Sequence, residues 1–181
     1  MRRAADLPLS AGLPAVGRAA PPRRTPALYV SVKGVKIAIL AFGQVHELEY
    51  AWAARDDRPG VATALGLTRS VSAVRAAADL VVVFNHRGRE GNSCPISEQK
   101  TFAAKLAAAG GDVILGSHAH TLQGDGWMGG TYVAYGLANF LWYGDSFSTD
   151  TGVLKMTMRA ARWSKMSSYP PWSLSQDSRS H

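Results

Sequence analysis

Apolar residues run along this chain in two rhythms, one of strands and one of helices. Leu28 to Val32 alternates, Lys33-Gly34 interrupts, and Val35 to Phe42 is then strongly apolar and β-branched. That pattern predicts a hairpin turning tightly at Lys33-Gly34 and feeding a buried strand. Gly43 to Pro59 is polar and irregular, with Asp56, Asp57, Pro59 and Gly60 as breakers. Val71, Val74 and Ala78 then share one face of a helix reaching about Ala78, with Thr68 or Ser70 as its cap. Leu80 to Phe84 is a continuous apolar run, the mark of a strand covered on both faces.

A loop rich in glycine and polar residues follows from Asn85 to Pro95. Ser97 is the candidate cap of a second helix to about Ala109, with Phe102, Leu106 and Ala109 inward and Gly110 as its stop. Val113 to Leu115 reads as a short buried strand, and Gly116 opens a second polar loop. Thr131 to Tyr135 and Val153 to Met158 complete the predicted strands. Helix, strand and loop alternate through the centre, which predicts a layered α/β fold. In such sheets ligands gather beyond the carboxyl ends of the strands, and both histidine-bearing loops leave strands at that end.

Composition changes this picture in three places. The 181 residues suffice for one domain with a real core. The formal charge of +7 invites a nucleic-acid reading, but the stretch from Ala27 to Met158 holds eleven bases and eleven acids. All the excess lies in the two tails, so the folded part shows no phosphate-binding stripe and no nucleic-acid partner is expected. The single cysteine, Cys94, excludes an intrachain disulfide. No apolar run approaches the ~20 residues of a membrane span, and no apolar segment of a secretory signal follows the N-terminal arginines. Met1 to Pro26, with five prolines, reads as an irregular basic lead-in, residues 27–158 as the domain, and residues 159–181 as an irregular tail.

Candidate chemistry concentrates in the two loops. In Gly116-Ser117-His118-Ala119-His120, two histidines two residues apart point the same way if the chain stays extended. Gly116 would let the backbone turn and leave room for an ion. Imidazole is the commonest metal ligand and suits zinc, manganese and iron. Alone, the pair would more often be two solvated loop histidines. A third, His86, directly follows the strand Leu80 to Phe84 and reverses that judgement, its remaining alternative being a hydrogen-bonded histidine with no metal. Glu90 could ligate, orient a histidine or be solvated, with orientation or substrate contact ahead of ligation. Arg87 and Arg89 would make the site mouth basic, suiting an anionic substrate. Cys94 before Pro95 reads as a small packed thiol at a loop-helix junction rather than a nucleophile. Gln123, Asp125, Asn139 and Asp145 lie in or after these loops, and spacing does not choose among them.

His86-Arg87-Gly88-Arg89-Glu90, Pro95 with Gln99, Gly110 to His120 with Gln123, and Tyr135-Gly136-Leu137-Ala138-Asn139-Phe140 occur in an order that resembles the bacterial capsule-synthesis proteins of the CapA type. These are linked to poly-γ-glutamate capsule production and belong to the calcineurin-like metallophosphatase superfamily. The resemblance runs from about Ala11 to Met158. It implies a four-layer β-sandwich between helices and a two-metal site, with His86 and His118 on one metal and His120 on the other or beside the substrate. It also implies a phosphoesterase-like hydrolase. Taken with the residues themselves, Mn, Zn or Fe is the expected cofactor, Glu90 and Asn139 are the catalytic candidates, and Arg87, Arg89 and Gln123 are the candidate substrate contacts. A phosphate ester or an anionic polymer would be the substrate, and a membrane synthase complex a possible partner. Family members commonly work outside the cytoplasmic membrane. The family usually has tryptophan at the position of Arg87 and glycine at that of Ala138. Its Gly-Asp, Asn-Leu-Glu and Asn-Asn-His segments have no counterpart here, so the chain resembles the C-terminal part. Two alternatives stand beside the enzyme: a non-catalytic accessory that binds polymer or a synthase complex, and an inactive fragment.

Overall fold

The computed structural model describes residues 16–19, 27–44, 52–55, 57–64, 66–141 and 148–157. The elements are β1 (Arg18–Ala19), β2 (Leu28–Val32), β3 (Val35–Gly43), β4 (Gly60–Val61), α1 (Leu67–Arg75), β5 (Leu80–His86), α2 (Ser97–Ala108), β6 (Val113–Ser117), β7 (Asp125–Met128) and β8 (Thr131–Ala134). Six strands form one mixed sheet in the order β2-β3-β5-β6-β8-β7, and β1 pairs with β4 in a separate two-stranded sheet. The four inner strands run parallel, while β2 and β7 close the edges antiparallel. This is the mixed α/β sheet with flanking helices that the sequence rhythm predicts.

The Lys33-Gly34 hairpin is present. Both residues take positive φ, 50° and 82°, so the turn follows the twist of its strands. Pleating gives the sheet two unlike faces. Ala38, Leu40, Phe42, Val81, Val83, Ile114 and Val133 lie on one face and share a core with Leu67 and Val71 of α1 and Ala103 and Leu106 of α2. On the other face Ile37, Ile39, Val82 and Leu115 are only partly covered, and Phe84 and Trp127 are exposed. The long apolar runs therefore mark strands with a dense helix side and a thinner cover opposite.

Helix starts differ from expectation. α1 begins at Gly66, whose left-handed φ of 77° redirects the chain with no side-chain cap. Thr68 is inside the helix, and Ser70 Oγ donates back to the Gly66 carbonyl at 3.4 Å. The helix ends at Arg75, short of Ala78, because the Arg75 guanidinium reaches the carbonyls of Ala78 and Asp79 and the Asp112 carboxylate. Ser97 is the first residue of α2 rather than its cap. Ile96 holds the cap position, and its N–H donates to Gln99 Oε1 at 3.0 Å. Gly110, at φ 101°, ends α2 as predicted.

β5 and β6 each run two residues past their apolar cores, to His86 and Ser117, because the ladder continues through Asn85↔Gly116 and His86↔Ser117. β7 lies in a stretch the sequence reading gave to a loop. Residues 151–157 carry no strand, against the predicted Val153 to Met158, and Met158 itself lies outside the described residues. Arg18–Ala19 is paired, within a lead-in read as irregular. The 159–181 tail, His46 and Asp145 lie outside the described residues.

Candidate metal centre

The carboxyl ends of β3, β5 and β6 lie side by side, so the segments after them converge. His86 closes β5. Ser117 Oγ lies 2.9 Å from His86 Nδ1 and donates to the Asn85 carbonyl at 3.4 Å. With the hydroxyl proton used there, the hydroxyl accepts from Nδ1–H and leaves Nε2 of His86 with a lone pair. Burial, then the neighbouring His118 and His120, push His86 below the usual histidine value, and Glu90 opposes them. The ring is thus biased to the neutral, ligating form.

His118 and His120 follow β6 in left-handed backbone, with φ of 93° and 56°. The chain between them is curled rather than extended, yet both rings face one point. His118 Nδ1 is 4.0 Å and His120 Nε2 3.8 Å from Glu90 Oε1. One ligand atom from each of Glu90, His118 and His120 lies within 4.8 Å of the others, a spacing that a bound cation could draw together. The donor set of two imidazoles and a carboxylate fits a divalent transition metal. His86 stands beside this group, its ring centroid 4.9 Å from that of His118. His120 Nδ1 lies 2.7 Å from Asn139 Oδ1. Donating that proton to Asn139 directs Nε2 toward Glu90.

Glu90 therefore stands in the candidate ligand group, a role the sequence reading ranked below orientation of a histidine. Asn139 supports His120. Arg87 turns to the helix side, where its guanidinium donates to Gln44 Oε1 at 2.5 Å and lies 5.0 Å from the Phe102 ring centroid. It lines a polar cleft of about 500 Å³ with Ser97, Thr101 and Lys105, apart from the histidines. Arg89 is exposed in the loop that carries Glu90. Gln123 is buried, with its amide bonded to protein groups. Cys94 is exposed, which corrects the packed-thiol expectation.

Asp125 accepts from Tyr132 Oη at 2.5 Å on the β7–β8 ribbon. Burial, and next that bond, hold the Tyr132 phenol above its ordinary value. Gly116 departs from expectation too. Its φ is not positive, and the room it leaves is taken by the Tyr135 carbonyl rather than kept for an ion. Sequence reasoning missed the apolar cavity of about 550 Å³ that opens against His86, walled by Ala41, Phe42, Trp52, Val61 and Phe84. Its walls come from strands and segments distant in sequence, so no local motif marks it.

Residues 2–143 match the family model for the bacterial capsule synthesis protein PGA_cap. The chain is 36% identical over 115 residues to the PGA biosynthesis protein CapA of Bacillus subtilis (strain 168), covering 62% of this chain and 30% of the relative. It is 29% identical over 120 residues to the capsule biosynthesis protein CapA of Bacillus anthracis, covering 63% and 29%. The chain thus spans less than a third of the length of these curated relatives. A hypothetical protein from Thermus thermophilus superposes with a TM-score of 0.43 at 17% identity, over 66% of this chain and 42% of that one.

Proposed function

Because the chain belongs to the PGA_cap family of bacterial capsule synthesis proteins, we propose that it serves capsule or poly-γ-glutamate production through a divalent-metal centre held by Glu90, His118 and His120. The observation that carries this reading is the convergence of those three ligand atoms within 4.8 Å at the strand ends. Three protein ligands with an open position is the arrangement of catalytic rather than structural zinc sites, and manganese or iron also accepts it. A bound ion would polarise a phosphoryl or carbonyl oxygen and lower the pKa of bound water.

This chain's residues supply the rest. Asn139 fixes the tautomer of His120, Ser117 does so for His86, and the neutral His86 ring is a base or further ligand beside the group. Arg89 offers positive charge near the opening, suiting a phosphate ester or an anionic polymer. The half-exposed apolar sheet face next to His86 favours a second reading, an accessory that binds the metal but does not hydrolyse.

Metal content of the purified protein and of a Glu90→Ala, His118→Gly, His120→Gly variant, which removes all three donors while suiting the left-handed backbone at 118 and 120, tests the centre. Stoichiometric metal in the first and none in the second is expected, and equal content would overturn the reading. Hydrolysis of an activated phosphodiester with added manganese separates the two readings.

A further inference from the structure

The groups of the candidate centre come from three segments, and two buried glutamines tie those segments together. Gln99 is 5% exposed and Gln123 8%. Gln99 Nε2 donates to Gln123 Oε1 at 2.8 Å, to the Tyr135 carbonyl at 3.2 Å and to the Arg87 carbonyl at 3.4 Å. Gln123 Nε2 donates to the Asn92 carbonyl at 2.9 Å and the Cys94 carbonyl at 3.3 Å, and its backbone N–H donates to the Gly136 carbonyl at 3.0 Å. The two side chains therefore grip the segment of Glu90 at residues 87, 92 and 94 and the segment of Asn139 at residue 135, and the Gln123 backbone adds a tie at residue 136. Gln123 itself ends the segment of His118 and His120.

We propose that Gln99 and Gln123 are positioning residues for the metal centre. They set Glu90 against His118 and His120 without touching a ligand or a substrate. Every hydrogen-bonding atom of the Gln123 amide has a protein partner, so it offers substrate nothing. Only a neutral amide fits both places, because each must donate to carbonyls while accepting through its oxygen. A carboxylate would lack the donors and would be a buried charge.

The backbone is built around the pair. A Cβ on Gly136 would lie 2.9 Å from Gln123 Cγ, and one on Gly88 would lie 3.1 Å from Gln99 Nε2. Two further ties run between the same loops. The Gly91 N–H donates to the Ala119 carbonyl at 2.8 Å, and Thr121 Oγ1 donates to the Asn92 carbonyl at 2.7 Å.

The inference rests on the proposed metal site, and two readouts keep the two apart. Gln99→Met and Gln123→Met keep side-chain length and remove the hydrogen bonds. Val71→Ala, on the buried face of α1, serves as a destabilised control. In metal-free protein, nuclear Overhauser contacts between the Glu90 side chain and the His118 and His120 rings should weaken or vanish in the Met variants and persist in Val71→Ala. In cobalt(II) titrations the Met variants should bind about ten-fold or more weakly, with an altered d–d spectrum, while Val71→Ala matches the wild type.

Met variants that keep both the Overhauser contacts and the cobalt behaviour of Val71→Ala overturn the positioning role. A wild type that binds no cobalt overturns the metal reading. The metal-free contacts then still decide whether the glutamines hold the three segments in place.

Discussion

Replacing Gly116 with alanine tests how tightly the segment of His118 and His120 is pressed against the segment of Asn139. An ideal Cβ at that position lies 2.0 Å from the Tyr135 oxygen, 2.7 Å from its carbonyl carbon and 3.3 Å from the Ala134 oxygen, whereas ordinary contact begins at 3.4 Å. The obstacle is backbone, not a flexible side chain, so β6 and the segment after β8 must part by over an ångström. That parting strains the Leu137 N–H bond to the Gly116 carbonyl, 3.1 Å, and the Leu115↔Ala134 register. Overpacking of a closed interior costs about 1–3 kcal/mol, and a lost hydrogen bond adds about 1 kcal/mol. A loss of about 3 kcal/mol follows from those two terms. In a protein of this length it lowers Tm by about 6–12 °C. Gly124 is the control, because its Cβ would meet nothing within 4 Å and its φ is not positive. Gly124→Ala should change stability by about 0.5 kcal/mol or less. Circular-dichroism melts of both variants with chelator present compare them directly. Wild-type melting by Gly116→Ala, or an equal fall in Gly124→Ala, would refute the account of this close approach.

Other outcomes follow from single contacts. Asp112→Ala removes the acceptor of the Val81 N–H, 2.7 Å, and the partner of Arg75, and should cost about 2 kcal/mol by urea denaturation. Leu106→Ala, fully buried between α2 and the sheet, should cost about 2–5 kcal/mol in the same assay. His86 is held below 6.5, so its neutral form is favoured in the folded protein while the unfolded chain takes up the proton first. Its contribution is present above about pH 6.5 and is lost as pH falls through the lower folded value. Denaturant midpoints of metal-free protein should therefore drop below pH 6.5 with a shallower slope in His86→Asn, and identical slopes would refute this. Asn139→Ala should weaken metal binding about ten-fold through His120 alone, read by titration calorimetry.

The strands and both helices were legible because their apolar spacing is local. Val35 to Phe42 and Leu80 to Phe84 read as strands before any partner was known. What failed depends on contacts between distant residues. Arg75 stops α1 by reaching Asp112, a pairing that periodicity does not carry. β7 exists because β8 offers it an edge, although it contains Gly126 and follows directly on Gly124. The three histidines were legible from their place after strands. The direction of Arg87 was not, because alternation past His86 sends its side chain to the helix side, and the basic run Arg87 to Arg89 hides that alternation. The inward turn of Gln99 and Gln123 was equally silent, since a polar residue near a loop reads as solvated.

The left-handed backbone at His118 and His120 constrains how this loop can change over generations. A histidine codon is one base away from those for asparagine, aspartate, tyrosine, leucine, proline, arginine and glutamine. Of these, only asparagine and aspartate settle readily at positive φ, and both present oxygen to a cation. A chance replacement at either position that spares the backbone therefore exchanges a nitrogen donor for an oxygen donor rather than abolishing donation, shifting preference toward harder ions such as manganese or magnesium. On the proposed metal reading, descendants of this loop would drift in the identity of their metal before they lost the capacity to hold one.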